Sequence, residues 1–222
     1  MISEKTTERE ARAARAFKWL AAGYVSIGGM LSAVYAVAGN WYLAVQALGT
    51  VAALAAIFGL LKLLRVRPVY SLYTAIVVFT FAAYTLGVAC SLYKTLPGYD
   101  KILHMLSGTF TMMLALPLFY VLKSGHQVEK KDCALAVIFC LATALAVAGI
   151  WELAEYFLSR ILDIDPQCVQ ATGVTDTMQD MIVCTVGALL GLPSLIGYYR
   201  TGEGGIMYGP TEIFIEKNLK RG

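Results

Sequence analysis

The chain has 222 residues, 58% of them apolar and only 15% charged, with a net charge of +3 and a mean hydropathy of +0.65. A water-soluble domain carries about 45–50% apolar and about 25% charged residues, so this composition excludes a soluble domain or a disordered chain, and a small positive charge with no dense basic face excludes a nucleic-acid binder. Four of the five cysteines (Cys90, Cys133, Cys140, Cys184) lie inside apolar runs and only Cys168 is in a polar stretch, which is not a disulfide framework; an integral membrane protein remains.

Residues 1–16 are charged in both signs and rich in Ala, Glu and Arg. They predict a short amphipathic cytoplasmic segment, not a signal peptide, since no small-residue cleavage site follows at the right distance. Crossing the hydrocarbon takes about 20 apolar residues at 1.5 Å each. Six runs qualify: Phe17 to Ala38, Trp41 to Leu61, Val69 to Tyr93, Ile102 to Leu122, Cys133 to Trp151 and Met181 to Tyr199. The runs are continuous, not alternating, so the fold class is all-α, a bundle of six transmembrane helices over residues 17–199, and not a barrel. The brief link at Gly39 and Asn40 predicts a tight hairpin of spans one and two. Pro117 and Pro193 fall mid-span and predict kinks, and Gly28-Gly29 and the Gly187, Gly191 pair predict close helix packing. Residues 200–222 form a cytoplasmic tail, with Ile213-Phe214-Ile215 placed on the membrane surface. His126, in a cytoplasmic loop, is expected to be solvated and without a partner.

Loop Lys and Arg set the orientation. Segments that are cytoplasmic when both termini face inward hold fifteen of them, against three on the other side. This predicts an N-in, C-in membrane protein, in contact with membrane lipids.

Ionisable residues at membrane ends are costly, and three clusters interrupt or abut the later runs. Asp100 and His104 open span four, Glu152 and Glu155 close span five, and Asp176 and Asp180 open span six. Each pair has i,i+3 or i,i+4 spacing and so shares a helix face. The topology, assigned from loop charge alone, puts all three clusters at one depth on the non-cytoplasmic side. Each pair also has an ordinary reading: Asp100 and Asp176 as helix caps, the glutamates as solvated span ends, Trp151 and Tyr156 as interfacial anchors. Their coincidence in depth favours a shared site. Five carboxylates and one imidazole there require neutralisation, by a divalent cation, by protonation, or by pairing with Lys101, Arg160 or lipid head groups. Oxygen ligands with one nitrogen suit Zn²⁺, Mn²⁺, Fe²⁺ or Mg²⁺ without choosing among them. Asp100, His104, Glu152 and Asp180 are the candidate ligands, with Glu155 or Asp176 as general base. The outer loop 159–175, carrying Asp163, Asp165, Pro166 and Cys168, is long enough for a lid and equally suits a plain connector.

The ordered set Asp100, Lys101, His104, Gly108, then Trp151, Glu152, Glu155, then Asp176, Thr177, Asp180, Gly187 resembles the YjdF-type bacterial inner-membrane proteins. These are related in pattern to the VanZ-like membrane family, which is associated with glycopeptide resistance. The resemblance runs from Tyr99 to Gly191. The VanZ-like pattern tends to carry Gln at the position of Glu155 and Asn at that of Cys184. The resemblance implies a bacterial membrane protein and picks out these positions without supplying a reaction. The residues themselves leave three expectations open. One is a metal-dependent enzyme acting on a lipid or polyprenyl head group. Another is a non-catalytic protein binding a cation or a small envelope component. The third is a proton- or cation-coupled transporter, disfavoured because the inner halves of spans four to six offer hydroxyls (Thr109, Thr111, Thr143, Thr185, Ser194) but no charge.

Overall fold

The computed structural model describes residues 4–162 and 164–220; Asp163 and the first three residues of the N-terminal segment lie outside the described residues. Among those described, regular structure is entirely helical. In chain order the α-helices are α1 (Glu4–Val37), α2 (Trp41–Leu63), α3 (Tyr70–Thr80), α4 (Leu92–Thr95), α5 (Tyr99–Leu122), α6 (Cys133–Leu162), α7 (Val169–Thr172), α8 (Thr175–Thr201) and α9 (Gly209–Phe214). Among the described residues, six helical stretches are long and apolar enough to cross a membrane. Their outer surfaces stay apolar: Trp19 is 81% and Val37 91% exposed, and only 11% of the apolar window of α1 is buried. Such surfaces are stable against lipid, not water.

The chain divides into two compact units, Met1–Tyr99 with Glu212–Gly222, and Asp100–Thr211. In the first, α1 is one continuous helix of 34 residues, so the polar N-terminal segment and span one are not separate elements. Ala and Arg propagate a helix readily, and nothing between Glu4 and Phe17 breaks it. Asn40 caps α2 through its side chain, which accepts from the Leu43 amide at 3.1 Å, and Gly39 takes the left-handed conformation (φ +77°) that the hairpin needs. Gly28 lies against α2, where a Cβ would meet Val51; Gly29 faces open space. Tyr24, Leu54 and Val77 form the core of this unit.

Span three is α-helical only to Thr80 and continues as a π-helix, Phe81–Ala89. Tyrosine hydroxyls bond two of its carbonyls: Tyr99 donates to the Ala82 carbonyl and Tyr35 to the Ala89 carbonyl, both at 2.8 Å. The end of the chain is packed inward, unlike the surface segment expected. Ile213 and Ile215 are buried, Lys217 reaches Glu10 and the Pro68 carbonyl, and Asn218 accepts from the Arg67 amide at 2.6 Å.

In the second unit α6 packs on α8. Helices α5 and α8 run unbroken through Pro117 and Pro193. Tyr120 and Tyr199 share a buried hydrogen bond of 2.6 Å, and Tyr208 stacks on Tyr198. His126 is not a free loop residue: its Nδ1 bonds the Tyr120 carbonyl at 2.6 Å, serving a group that the end of α5 leaves unpaired.

Candidate functional site

Small residues decide how α5 and α8 meet. A Cβ on Gly108 would overlap the Cys184 carbonyl and the Ala188 amide nitrogen, and one on Gly187 would overlap the Met105 carbonyl. The two backbones are therefore in direct contact, and Thr109 Oγ1 donates to the Gly187 carbonyl at 2.6 Å across it. His104 stands one helical turn before Gly108, and Asp180 two turns before Gly187. This contact sets the spacing of the site residues at that end of both helices.

Asp100 lies in the first turn of α5, where a carboxylate is favoured by the helix dipole. One turn on, His104 Nε2 stands 3.5 Å from Asp100 Oδ1 and 3.9 Å from Asp180 Oδ1. The N-cap of α8 is Val174, so Asp176 is not the cap expected from its position. It lies inside the first turn and turns its carboxylate to Lys101 instead. Lys101 Nζ is 2.6 Å from Asp176 Oδ1, 2.7 Å from Asp180 Oδ1 and 3.2 Å from Asp100 Oδ2. Asp180 is almost wholly enclosed, its side chain 3% exposed, whereas that of Lys101 is 26% exposed. Of the cations weighed from the sequence, Lys101 is the one that meets these acids; Arg160 forms no ion pair among the described residues.

Ligand atoms of Asp100, His104 and Asp180 all lie within 4.8 Å of one another. Metal–oxygen and metal–nitrogen bonds of about 2.0–2.2 Å put ligand atoms roughly 3.0–3.5 Å apart, so a small closure of this triad suits a cation.

Glu152 and Glu155, near the end of α6, stand outside that triad. Glu155 is within electrostatic range of His104 and Asp100, and its Oε1 accepts from Trp151 Nε1 at 2.9 Å. Trp151, read from the sequence as an interfacial anchor, is 41% exposed and also holds the Glu155 carboxylate. Glu152 is buried and engaged by the loop that follows α6: Gln167 Nε2 donates both to its backbone carbonyl and to its Oε2, each at 3.0 Å. Its Oε1 is buried with no hydrogen-bond partner among the described residues. An acid oxygen left this way is costly and calls for a proton, a water or a cation.

The loop is ordered by its own chemistry. Asp165 accepts from the Val169 and Gln170 amides at 2.8 and 3.0 Å, starting the short α7, and Cys168 takes a left-handed conformation (φ 51°). Burial, together with the nearby charges of Asp176, Asp165 and Asp100, pushes the Cys168 thiol above its usual range. The loop therefore reaches Glu152 through Gln167. That contact had no signal in the sequence, because a loop carries no periodicity to say which side chain turns inward.

No curated protein and no solved structure matches the chain. One family model does, over residues 17–201, a stretch that includes all three clusters. The chain belongs to that family, DUF2238, described as predicted membrane proteins.

Proposed function

We propose that the chain binds a divalent cation through Asp100, His104 and Asp180 and uses it on the anionic head group of a lipid or polyprenyl carrier at the outer leaflet. The observation that carries this reading is the convergence of two carboxylates and an imidazole, from two helices, within 4.8 Å. Charge supports it: with Asp176, Glu152 and Glu155 the cluster holds five carboxylates against the single ammonium of Lys101. The uneven distribution of loop Lys and Arg supports an outward-facing site. The resemblance to YjdF-type and VanZ-like proteins rests on these same positions. A bound cation there would supply polarisation of a phosphoryl or carbonyl oxygen. Glu152, with one unpaired oxygen, is the candidate further ligand. Glu155 is the better placed general base, since Asp176 is already held by Lys101.

A transport reading is less well supported. The hydroxyls of Thr109, Thr143 and Thr185 are turned onto helix carbonyls, so they do not line a polar route away from the cluster. Elemental analysis of detergent-purified protein, with Asp100→Asn and His104→Ala beside the wild type, tests the reading. About one equivalent of a divalent metal in the wild type, lost in both variants, is expected; equal content in all three refutes it. Release of phosphate or a head group from supplied lipid by the metal-loaded wild type marks an enzyme. Metal-dependent lipid binding without turnover marks a binder.

A further inference from the structure

We infer that Lys101 is an exchangeable counter-ion of this centre: its ammonium occupies Asp180 when no divalent cation is bound, and cation entry drives it off. The inference deepens the cation reading above and rests on it. Asp180 Oδ1 is the shared atom. It accepts from Lys101 Nζ at 2.7 Å, and it is also the Asp180 oxygen facing His104 Nε2 at 3.9 Å. A cation ligated by that oxygen and by His104 lies close to the ammonium, and two positive charges so near each other in a poorly hydrated site repel strongly.

The geometry provides an exit. Asp180 is enclosed, but the Lys101 side chain is 26% exposed on a long flexible stem. Asp176 offers it a second anchor at 2.6 Å, so the ammonium can leave Asp180 without being stranded. A single lysine also leaves the cluster short of positive charge. The independent sign of this is Glu152 Oε1, buried and unpartnered on the same face of α6 as Glu155, which itself lies in range of His104 and Asp100. Lys101 is thus a built-in competitor that keeps the acids folded together and sets a threshold concentration for cation binding.

The test uses Mn²⁺ alone, titrated into the full chain in detergent. Lys101→Gln is expected to bind Mn²⁺ at least about tenfold more tightly than the wild type, since it removes a unit charge beside the ion. A second measurement needs no variant. Acetylation of Lys101 in the wild type by an amine-reactive ester, read by mass spectrometry, is expected to rise several-fold when Mn²⁺ saturates the site. Unchanged acetylation with Mn²⁺ bound overturns the exchange and leaves the cation site standing, as does Mn²⁺ binding by Lys101→Gln that is no tighter than by the folded wild type. Absence of Mn²⁺ binding by both chains removes the cation reading itself.

Discussion

Replacing Gly108 with alanine adds one methyl group where there is no room for it. The new Cβ meets the Cys184 carbonyl and the Ala188 amide nitrogen. Both are backbone atoms of α8, so no side-chain rotation relieves the overlap and the two helices must separate. Overpacking of this kind costs about 1–3 kcal/mol, partly offset by the better helix propensity of alanine, about 0.5–1 kcal/mol. The net loss of about 0.5–2 kcal/mol, at roughly 2–4 °C per kcal/mol for a chain of this size, lowers the melting temperature by about 1–8 °C. The matched control is Gly149→Ala in α6, where nothing lies within 4 Å of the new methyl; it is expected to leave stability unchanged or raise it slightly. The separation reaches the site as well. His104 Nε2 and Asp180 Oδ1, on opposite sides of the contact, are already 3.9 Å apart, and widening that gap weakens Mn²⁺ binding in Gly108→Ala but not in Gly149→Ala. Thermal unfolding in detergent with a Mn²⁺ titration reads both effects. Equal melting temperatures for the two variants would refute the argument that backbone contact at Gly108 sets the α5–α8 spacing.

Asp180→Asn breaks the most enclosed member of the Lys101 network and is expected to destabilise by about 3 kcal/mol, the lower end for a buried pair because Lys101 keeps Asp176. Asp100→Asn, at 3.2 Å and with a side chain 35% exposed, is expected to cost under about 1 kcal/mol; denaturation that ranks the two in the opposite order contradicts the burial argument. Gln167→Ala strips Glu152 of its side-chain partner at a cost of about 1–3 kcal/mol and speeds proteolysis within residues 164–174, whereas an unchanged cleavage rate means that the latch does not hold the loop. Cys168, with its thiol pushed up by burial and neighbouring carboxylates, carries less thiolate at neutral pH than a free cysteine. Its alkylation is therefore slow at pH 7, accelerates above pH 9, and is faster at neutral pH in Asp165→Asn. A rate at pH 7 equal to that of free cysteine contradicts the sign. In cells whose enclosing membrane is intact and reachable from outside, an impermeant maleimide should label Cys168 and spare Cys133 at the other end of α6; labelling of Cys133 alone reverses the orientation taken from loop charge.

Much of the span layout was legible because the hydrocarbon imposes a length: the runs around Trp41, Ile102 and Cys133 have no other use. Boundaries were less so. The polar start of α1 carries no helix-breaking residue, so composition changes there while structure does not. The π-helical second half of span three has the same apolar residues as an α-helix, and only the tyrosine hydroxyls on its carbonyls betray it. Helical spacing and shared depth pointed to Asp100, His104, Glu152, Glu155, Asp176 and Asp180. They could not separate the triad from the two glutamates, nor choose between a metal and Lys101 as partner, because a lysine next to an aspartate can turn either way. Ile213-Phe214-Ile215 reads alike as a surface anchor or as buried packing; the ties of Lys217 to Glu10 and of Asn218 to Arg67, about 150–200 residues away in sequence, decide it.

The central claim is that Asp100, His104 and Asp180 hold one cation together, and the spin of Mn²⁺ reports this directly. Pulsed electron paramagnetic resonance of the purified chain with one equivalent of Mn²⁺ is predicted to show the coupling of one imidazole nitrogen, which disappears together with the bound ion in both His104→Ala and Asp180→Asn. Bound Mn²⁺ without nitrogen coupling, or with coupling that survives in His104→Ala, would contradict the account.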